Sequence, residues 1–413
     1  MWYYLINIII IAGLAFFYYQ RAPAKFYWIF LPLKLAAGFG LGIVYTYYYA
    51  SGDTFVFFEQ AKALANLAYD DLPGLINFLY TSDPEIINIG YTWTPNLVFV
   101  KLTSVFCLIT GNSYWLISLY FSFFCFAALW NLYLLLTQYF ADNPLAIAIG
   151  LFLIPSFAFW SSGLSKESAA VGCIAFIISS YIKALFLQGK VTWQELIMAS
   201  VALILLWKLK YFYAGVLLVS LITGSVMLYF QKKYALTGIL KIGLLAGSIF
   251  LGLLVLASFT HPNFYITSIL DVIVQNHDEL VLKSEDFVRF YQLDPTFSSV
   301  ALNVPLACFS GLFSPLIWQV HSEAAVATGF ENLILFACSI WAILKFRVPK
   351  ENKKLILMII ALLYIIVLAA LLALSTPNFG TLMRFKVAFL PFLYILVLYN
   401  NKLVRRLSNQ LFD

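Results

Sequence analysis

Apolar segments long enough to cross a membrane recur along most of this chain. The clearest examples, 2–19, 211–231 and 355–375, contain no charged residue. A helix needs about 20 mostly apolar residues to cross the hydrocarbon core of a bilayer. Charged residues make up only 11% of the chain, whereas a soluble domain carries about 25%. The sequence therefore predicts a polytopic membrane protein and excludes a soluble domain.

Twelve apolar segments are candidates for membrane helices. They are 2–19, 27–50, 94–111, 113–139, 143–161, 168–188, 193–207, 211–231, 236–259, 328–346, 355–375 and 383–400. The remaining long stretches, 51–92 and 260–327, contain acidic residues, prolines and aromatic residues, and they lack the Gly/Ser richness of linkers. We therefore expect an all-α fold: a single integral-membrane domain over 1–413, built as a polytopic transmembrane helix bundle of about 11–12 helices with two folded non-cytoplasmic loops.

The positions of lysine and arginine predict the orientation of the chain. The basic clusters are Arg21/Lys25, Lys232/Lys233, 345–354 and 402–406. Cytoplasmic loops carry an excess of these residues, so we assign all four clusters, and with them the C-terminus, to the cytoplasm. Loops 51–92, 162–167 and 260–327 are then outside. Because the basic residues cluster at segment ends, the net charge of +6 does not indicate a nucleic-acid partner.

This orientation requires that one candidate segment does not cross. The chain must cross an even number of times between loops 51–92 and 162–167, but three candidates lie between them. Segment 94–111 is short and carries Lys101 near its middle, and a lysine at the bilayer centre costs roughly 2.5–3.5 kcal/mol. We therefore expect it to be re-entrant or juxtamembrane, which leaves about eleven crossings. Alternatively, Lys101 pairs with an acidic residue and one basic loop breaks the rule.

Two acidic residues lie on the predicted outer side. Asp53 directly follows the second span, where its carboxylate can accept a proton, hold a divalent cation or simply cap a helix. Glu167 follows a turn of small residues at 161–165 and opens the next helix. It can offset the helix dipole there, but a charge this close to the apolar core is also a functional candidate.

Basic residues lie on the same predicted side in two places. Lys208 and Lys210 precede the span 211–231, and Arg384 and Lys386 lie at the start of the last span. These side chains can bind phosphate oxygens, a task for which arginine is especially suited. Alternatively, they extend towards the interface as anchors.

The long outer loop 260–327 contains all three histidines, His261, His277 and His321. No two of them have a ligand-like spacing on one helix. The part at 265–293 predicts an amphipathic surface helix with a solvated charged face. His321 and Glu323 follow an aromatic stretch and are candidates for contact with an acceptor substrate.

The order of these features resembles the GT-C glycosyltransferases. An acidic residue lies in the first outer loop and a second at a later outer turn; a long outer loop and the arginine-containing stretch Gly380–Arg384 then precede the last helix. GT-C enzymes are polytopic and take a sugar from a polyprenyl-phosphate carrier; they include protein mannosyltransferases, aminoarabinose transferases and oligosaccharyltransferase catalytic subunits. The stretches 155–167 and 380–391 are also similar to Bacteroidetes-type members without assigned substrates.

The resemblance implies an enzyme, a glycosyltransferase that moves a sugar from a polyprenyl-phosphate carrier to a lipid or glycan acceptor outside a bacterial inner membrane. Asp53 would be the catalytic residue, and Asp53 with Glu167 would hold a divalent metal, Mg²⁺ or Mn²⁺. The residues implied in binding the carrier phosphate are Arg384, Lys386, Lys208 and Lys210. The first motif has a single Asp where some members have Asp-Glu or Asp-x-Asp, which leaves metal dependence open.

Two other functions remain open. A surface-polysaccharide polymerase or ligase is also polytopic with a large outer loop, and Arg289 and the histidines could serve it. A transporter, a flippase or a structural subunit of an envelope complex would need no catalytic residue. Transporters typically have charges inside spans and broken helices, and from the sequence only Lys101 and Glu195 are identified as mid-membrane charges.

Overall fold

The computed structural model describes residues 2–49, 53–83, 85–87, 95–259, 265–320 and 323–412. Most of these residues are helical, and no strand occurs among them. Within the described ranges, Phe287 and Asn378 form an isolated antiparallel β-bridge. The predicted all-α fold is therefore confirmed.

The helices follow one another with short connections. The first half of the chain contains α1 (Trp2–Arg21), α2 (Tyr27–Tyr47), α3 (Asp53–Asp70), α4 (Leu72–Thr81), α5 (Pro95–Thr110), α6 (Tyr114–Tyr139), α7 (Pro144–Ala148), α8 (Pro155–Trp160), α9 (Lys166–Tyr181) and α10 (Trp193–Leu209). The second half contains α11 (Tyr211–Tyr234), α12 (Ile239–Ser258), α13 (Ile266–Val281), α14 (Phe297–Phe313), α15 (Glu323–Leu344), α16 (Asn352–Ser375), α17 (Phe379–Phe385), α18 (Leu390–Tyr399) and α19 (Lys402–Phe412).

Eight helices within the described ranges are long and apolar enough to cross a membrane. They are α1, α2, α6, α9 with its π-helical extension to Phe186, α11, α12, α15 and α16. The pair α17 and α18 forms a ninth if its two parts, which are bent by 67°, count as one span. Apolar helices of this length and number confirm that the chain is a multi-pass integral membrane protein.

Two predicted spans differ from continuous long helices. The segment 143–161 divides into α7, a π-helical turn over Ile149–Leu153, and α8. The break lies at Ile154, whose ψ of 116° is extended, because the following Pro155 disfavours a helical conformation at the residue before it. The segment 193–207 is the 17-residue helix α10, one residue short of the 18 that define a candidate span.

The chain divides into two compact units, which we describe separately. Unit 1 comprises 1–135, 158–183 and 190–211, and unit 2 comprises 136–157, 184–189 and 212–413.

In unit 1, the predicted first outer loop, 51–92, contains helices α3 and α4, and the separate segment 94–111 forms α5. The apolar faces of α3, α4 and α5 form a shared core with the start of α6. This core includes Phe57, Phe58, Leu64, Leu75, Phe78 and Phe99.

Lys101 on α5 donates hydrogen bonds to the Leu79 carbonyl at 2.9 Å and the Ser82 hydroxyl at 2.6 Å. Burial lowers the pKa of Lys101 from its ordinary value. This lysine is therefore held at the C-terminal end of α4, where helix carbonyls attract a cation, and α5 has only 16 residues.

The membrane-spanning part of unit 1 depends on small residues where α2 meets α6. The Ser118 hydroxyl on α6 donates to the Gly38 carbonyl on α2 at 3.1 Å. A Cβ at Gly38 would meet Ser122 and the backbone of Gly163, and one at Gly42 would meet Tyr114 and Trp115. Glycine is required at these positions because the two helices and the chain at Gly163 approach one another too closely for a larger residue.

In unit 2, the predicted long outer loop contains two helices, α13 and α14. The amphipathic helix predicted over 265–293 ends at Val281, and its Asp271, Asp278 and Glu279 are exposed. Beyond it, the chain is tied to the start of α17, because the Val288 amide donates to the Pro377 carbonyl at 3.0 Å and the Phe379 amide donates to the Asp286 carbonyl at 3.3 Å.

Candidate functional site

A tight turn of small residues connects α8 to α9 in unit 1. Ser161 and Ser162 are fully buried, and Gly163 has a φ of 69°, a left-handed conformation that glycine adopts without strain. The Ser165 hydroxyl caps α9 by accepting a hydrogen bond from the Ser168 amide at 3.1 Å. The sequence 161–165 is therefore a helix break followed by a well-capped new helix start.

The turn lies beside the middle of α2 and not at its end. The Gly163 amide donates to the Ser122 hydroxyl at 2.8 Å, and a Cβ on Gly38 would lie 2.9 Å from the Gly163 nitrogen. Gly38 precedes Tyr47, the last residue of α2, by nine residues, which is about 14 Å at the rise of an α-helix. The turn thus packs against the middle of α2, and its predicted position on the outer side stays a prediction.

The first residues of α3 contact this turn. The Thr54 hydroxyl donates to the Leu164 carbonyl at 2.6 Å and lies 3.1 Å from the Tyr114 hydroxyl. Thr54 is buried, whereas Asp53, its neighbour and the first residue of α3, is exposed. The predicted catalytic aspartate therefore stands at the turn that carries Glu167.

Glu167 and Lys210 form a buried ion pair. The Lys210 Nζ lies 3.1 Å from the Glu167 Oε1, and the two side chains are only 6% and 2% exposed. The structure thus brings together two residues for which the sequence predicts separate tasks, metal binding for Glu167 and phosphate binding for Lys210. Lys208, two residues earlier on α10, is exposed.

Two further lysines lie at the same turn. Lys166 donates to the Asn96 Oδ1 at 2.5 Å, and its ammonium lies 4.8 Å from the centre of the Phe57 ring. Lys34 on α2 is buried and donates to the Ser161 hydroxyl at 2.5 Å. Sequence reasoning missed Lys34, although a lysine inside the apolar segment 27–50 is itself a signal of function.

A divalent metal held by Asp53 and Glu167 stays a prediction from the sequence. Within the described ranges, no three His, Cys, Asp or Glu side chains are close enough together to hold a metal ion. The Lys210 ammonium stands 3.1 Å from the Glu167 carboxylate, so Glu167 has a cationic partner from the chain itself.

Arg384 and Lys386 belong to unit 2 and differ in their surroundings. Lys386 is only 2% exposed and donates to the Ser314 carbonyl and the Asn332 Oδ1, each at 3.1 Å. Arg384 is half-buried, with its guanidinium 5.7 Å from the centre of the Phe385 ring. Lys386 is thus committed to internal contacts, which weakens its predicted role in binding phosphate.

A half-buried acidic residue, Glu331, lies in the same unit as Lys386. The Glu331 carboxylate accepts hydrogen bonds from the Ser156 amide at 3.0 Å and from the Ser156 hydroxyl. This contact holds α15 against the start of α8, next to the break at Ile154. The predicted acceptor residue Glu323 is the first residue of α15, and His321 lies outside the described residues.

Comparison with protein-family models, with curated proteins and with solved structures finds no match to this chain.

Proposed function

We propose that this protein is a glycosyltransferase that moves a sugar from a polyprenyl-phosphate carrier to a lipid or glycan acceptor. The single observation that supports this most is the hydrogen bond between the Thr54 hydroxyl and the Leu164 carbonyl at 2.6 Å. It joins the start of α3, where Asp53 is exposed, to the turn that carries Lys166 and Glu167. A carboxylate and several cations at one turn are the groups that such a transfer needs.

In this proposal Asp53 is the general base. Its carboxylate accepts the proton of the acceptor hydroxyl while the acceptor oxygen bonds to the anomeric carbon of the sugar. The bond between that carbon and the phosphate oxygen breaks, and its electron pair stays on the phosphate. A positioned general base contributes typically about 10²–10⁴-fold to the rate, and exposure gives Asp53 access to an acceptor.

The departing phosphate needs positive charge. Lys166 is half-buried at the turn, and a preorganised cation near developing negative charge lowers the barrier. Glu167 acts indirectly, because its pairing with Lys210 fixes the first turn of α9 and so the position of Lys166. Lys208 in unit 1 remains our proposed ligand for the carrier phosphate, and the roles predicted for Arg384 and Lys386 in unit 2 stay predictions from the sequence.

The test is the activity of Asp53→Asn in cells and as purified protein supplied with polyprenyl-phosphate sugars. We expect glycan or glycolipid output to fall by about 10²–10⁴-fold. The unfolding temperature should stay unchanged, because asparagine and aspartate serve equally well at a helix start.

Asp71→Asn is the matched control, because Asp71 also stands at a helix start. It caps α4 by accepting a hydrogen bond from the Gly74 amide at 2.9 Å. We expect this variant to keep both stability and output. If Asp53→Asn behaves like Asp71→Asn, then Asp53 is a cap and the transferase proposal loses its base.

A specific observation favours a transporter as the second candidate. In unit 2, the chain breaks at Ile154 and bends by 67° between α17 and α18, and Lys386 is buried beside that bend. Broken helices with buried charges are typical of transporters. Proteoliposomes with a fluorescent glycolipid separate the two functions: a transferase yields a new covalent product, whereas a transporter changes only the leaflet in which the lipid resides.

A further inference from the structure

The C-terminal helix α19 is strongly amphipathic, and one side of it packs on the protein. Val404 and Ser408 are buried, and the Ser408 hydroxyl accepts a hydrogen bond from the Leu145 amide of α7 at 3.2 Å. The spacing of four residues places Val404 and Ser408 on one face. This face fixes the helix to unit 2.

An apolar stripe beside that face is left exposed. Leu403, Leu407 and Leu411 are 68%, 42% and 44% exposed, and their four-residue spacing aligns them along the helix. The remaining side is polar, with Lys402, Arg406, Asn409 and Gln410 all exposed. The helix thus has one side towards the protein, one apolar side and one charged or polar side.

The position of α19 is fixed by the end of the last apolar helix. It begins at Lys402, close behind Tyr399, where α18 ends. The Asn401 Oδ1 accepts hydrogen bonds from the amides of Leu403 at 2.9 Å and Val404 at 3.2 Å. The Asn143 amide donates to the Tyr399 carbonyl at 3.0 Å. Whether α17 and α18 span the bilayer or re-enter it, α19 starts where the chain leaves the hydrocarbon core.

Basic side chains lie at one edge of the apolar stripe. With 3.6 residues per turn, Arg406 and then Lys402 follow Leu403 around the helix on the side away from Val404 and Ser408, and both are exposed. Arg405 lies on the opposite side of the helix from the stripe and is half-buried. Guanidinium groups bind phosphate oxygens in a fork-like geometry, so this helix offers donors to phosphate at the level of the headgroups.

We propose that α19 lies in the headgroup layer of the bilayer and binds anionic phospholipid. The three leucines enter the boundary of the acyl chains, and Lys402 and Arg406 contact lipid phosphates. An interfacial helix of this kind combines burial of its apolar side with attraction to anionic lipids. The inference does not depend on the proposed transferase activity.

The first test measures the depth of α19 in the full-length protein in vesicles of phosphatidylglycerol and phosphatidylcholine. A fluorophore is attached to Leu407→Cys or to Asn409→Cys, in a chain where the half-buried Cys308 and Cys338 are replaced by alanine. We expect a nitroxide on the acyl chains to quench the label at 407, and aqueous iodide to quench the label at 409, which lies on the opposite side of the helix. Equal quenching of both labels by iodide would overturn the proposal.

The second test measures the lipid itself. The purified protein is mixed with phosphatidylglycerol or phosphatidylcholine, and the bound lipid is quantified. We expect Lys402→Gln/Arg406→Gln to weaken phosphatidylglycerol binding by at least about tenfold, since each basic residue near an anionic surface contributes several-fold. Lys345→Gln/Arg347→Gln removes the same charge elsewhere in unit 2 and should bind as before. Equal losses in both variants would indicate net charge alone and contradict a site on α19.

Discussion

The Lys210 ammonium lies 3.1 Å from the Glu167 carboxylate, and both side chains are almost completely buried. Each charge compensates the desolvation of the other, because a buried charge without a partner is very unfavourable. The pair also joins the end of α10 to the first turn of α9. The turn at 161–165 is therefore held on both sides, by Lys210 through Glu167 and by Thr54 through Leu164.

We predict that Lys210→Met lowers the free energy of unfolding by about 3–5 kcal/mol, because it removes the cation that lies beside the buried Glu167 carboxylate. Lys210→Met/Glu167→Leu should recover most of this loss, since an apolar pair needs no compensation. Thermal unfolding of the purified variants measures both effects. Additive losses in the double variant would contradict a direct pair. If Glu167 positions Lys166, transferase output should remain low even where stability is recovered.

Lys34→Met should destabilise the same turn. Lys34 is buried and donates a hydrogen bond to the buried Ser161 hydroxyl, and a hydrogen bond to a charged group contributes about 1.5–3 kcal/mol. We expect a lower unfolding temperature in the purified variant, because this hydrogen bond is lost. An unchanged or higher unfolding temperature would show that the contact between Lys34 and Ser161 contributes no net stability.

Gly38→Ala should destabilise the packing of α2 on the turn. The new Cβ would lie 2.9 Å from the Gly163 backbone nitrogen and would also meet the Ser122 hydroxyl, and overpacking of this kind costs about 1–3 kcal/mol. Gly40→Ala is the control on the same helix, because a Cβ there meets no atom within 4 Å. Its unfolding temperature should be equal or higher, since alanine favours helix over glycine. Similar effects at both positions would disprove the close approach at Gly38.

Lys101→Met should loosen α4 more than it disturbs the rest of the protein. The substitution removes the hydrogen bonds to the Leu79 carbonyl and the Ser82 hydroxyl, and a hydrogen bond to a charged group contributes about 1.5–3 kcal/mol. Lys62→Met breaks only the exposed ion pair with Glu59 at 3.6 Å and should cost less than about 1 kcal/mol. Hydrogen exchange of the 72–81 amides, followed by mass spectrometry, measures the difference. Faster exchange in Lys62→Met than in Lys101→Met would contradict this assignment.

The orientation of the chain can be tested by cysteine labelling in intact cells. Tyr80 is 86% exposed in the predicted outer loop, and Asn409 is exposed on α19. We expect a membrane-impermeant maleimide to label Tyr80→Cys from outside and Asn409→Cys only after permeabilisation. If both cysteines were labelled from the same side, the predicted placement of Tyr80 and Asn409 on opposite sides of the membrane would be wrong.

The helical membrane fold was predictable because its signal is local. A run of apolar residues predicts a membrane helix without knowledge of its neighbours, and α1, α2 and α16 match their predicted segments closely. The break before Pro155 had a visible cause in the sequence. The bend between α17 and α18 within the predicted span 383–400 was less visible, because Pro391 lies at the start of α18, where proline is well tolerated.

The candidate site was only partly predictable. Asp53, Glu167 and Lys210 stood out because they are charged residues close to apolar segments on the predicted outer side, and charge close to the apolar core is unfavourable. Their partners did not stand out. Asn96 and Ser161 are ordinary polar residues in the sequence, and they matter only because Lys166 and Lys34 donate to them.

The sequence by itself determined that this chain is a helical membrane protein and which of its charged residues are exceptional, since hydropathy and charge belong to each segment alone. Only the tertiary structure decided which of those residues meet. Lys34 and Ser161 are 127 residues apart in the chain, and Thr54 and Leu164 are 110 apart. Contacts at such separations arise from the packing of small residues such as Gly38 and Gly163, whose effect depends on the helices that face them.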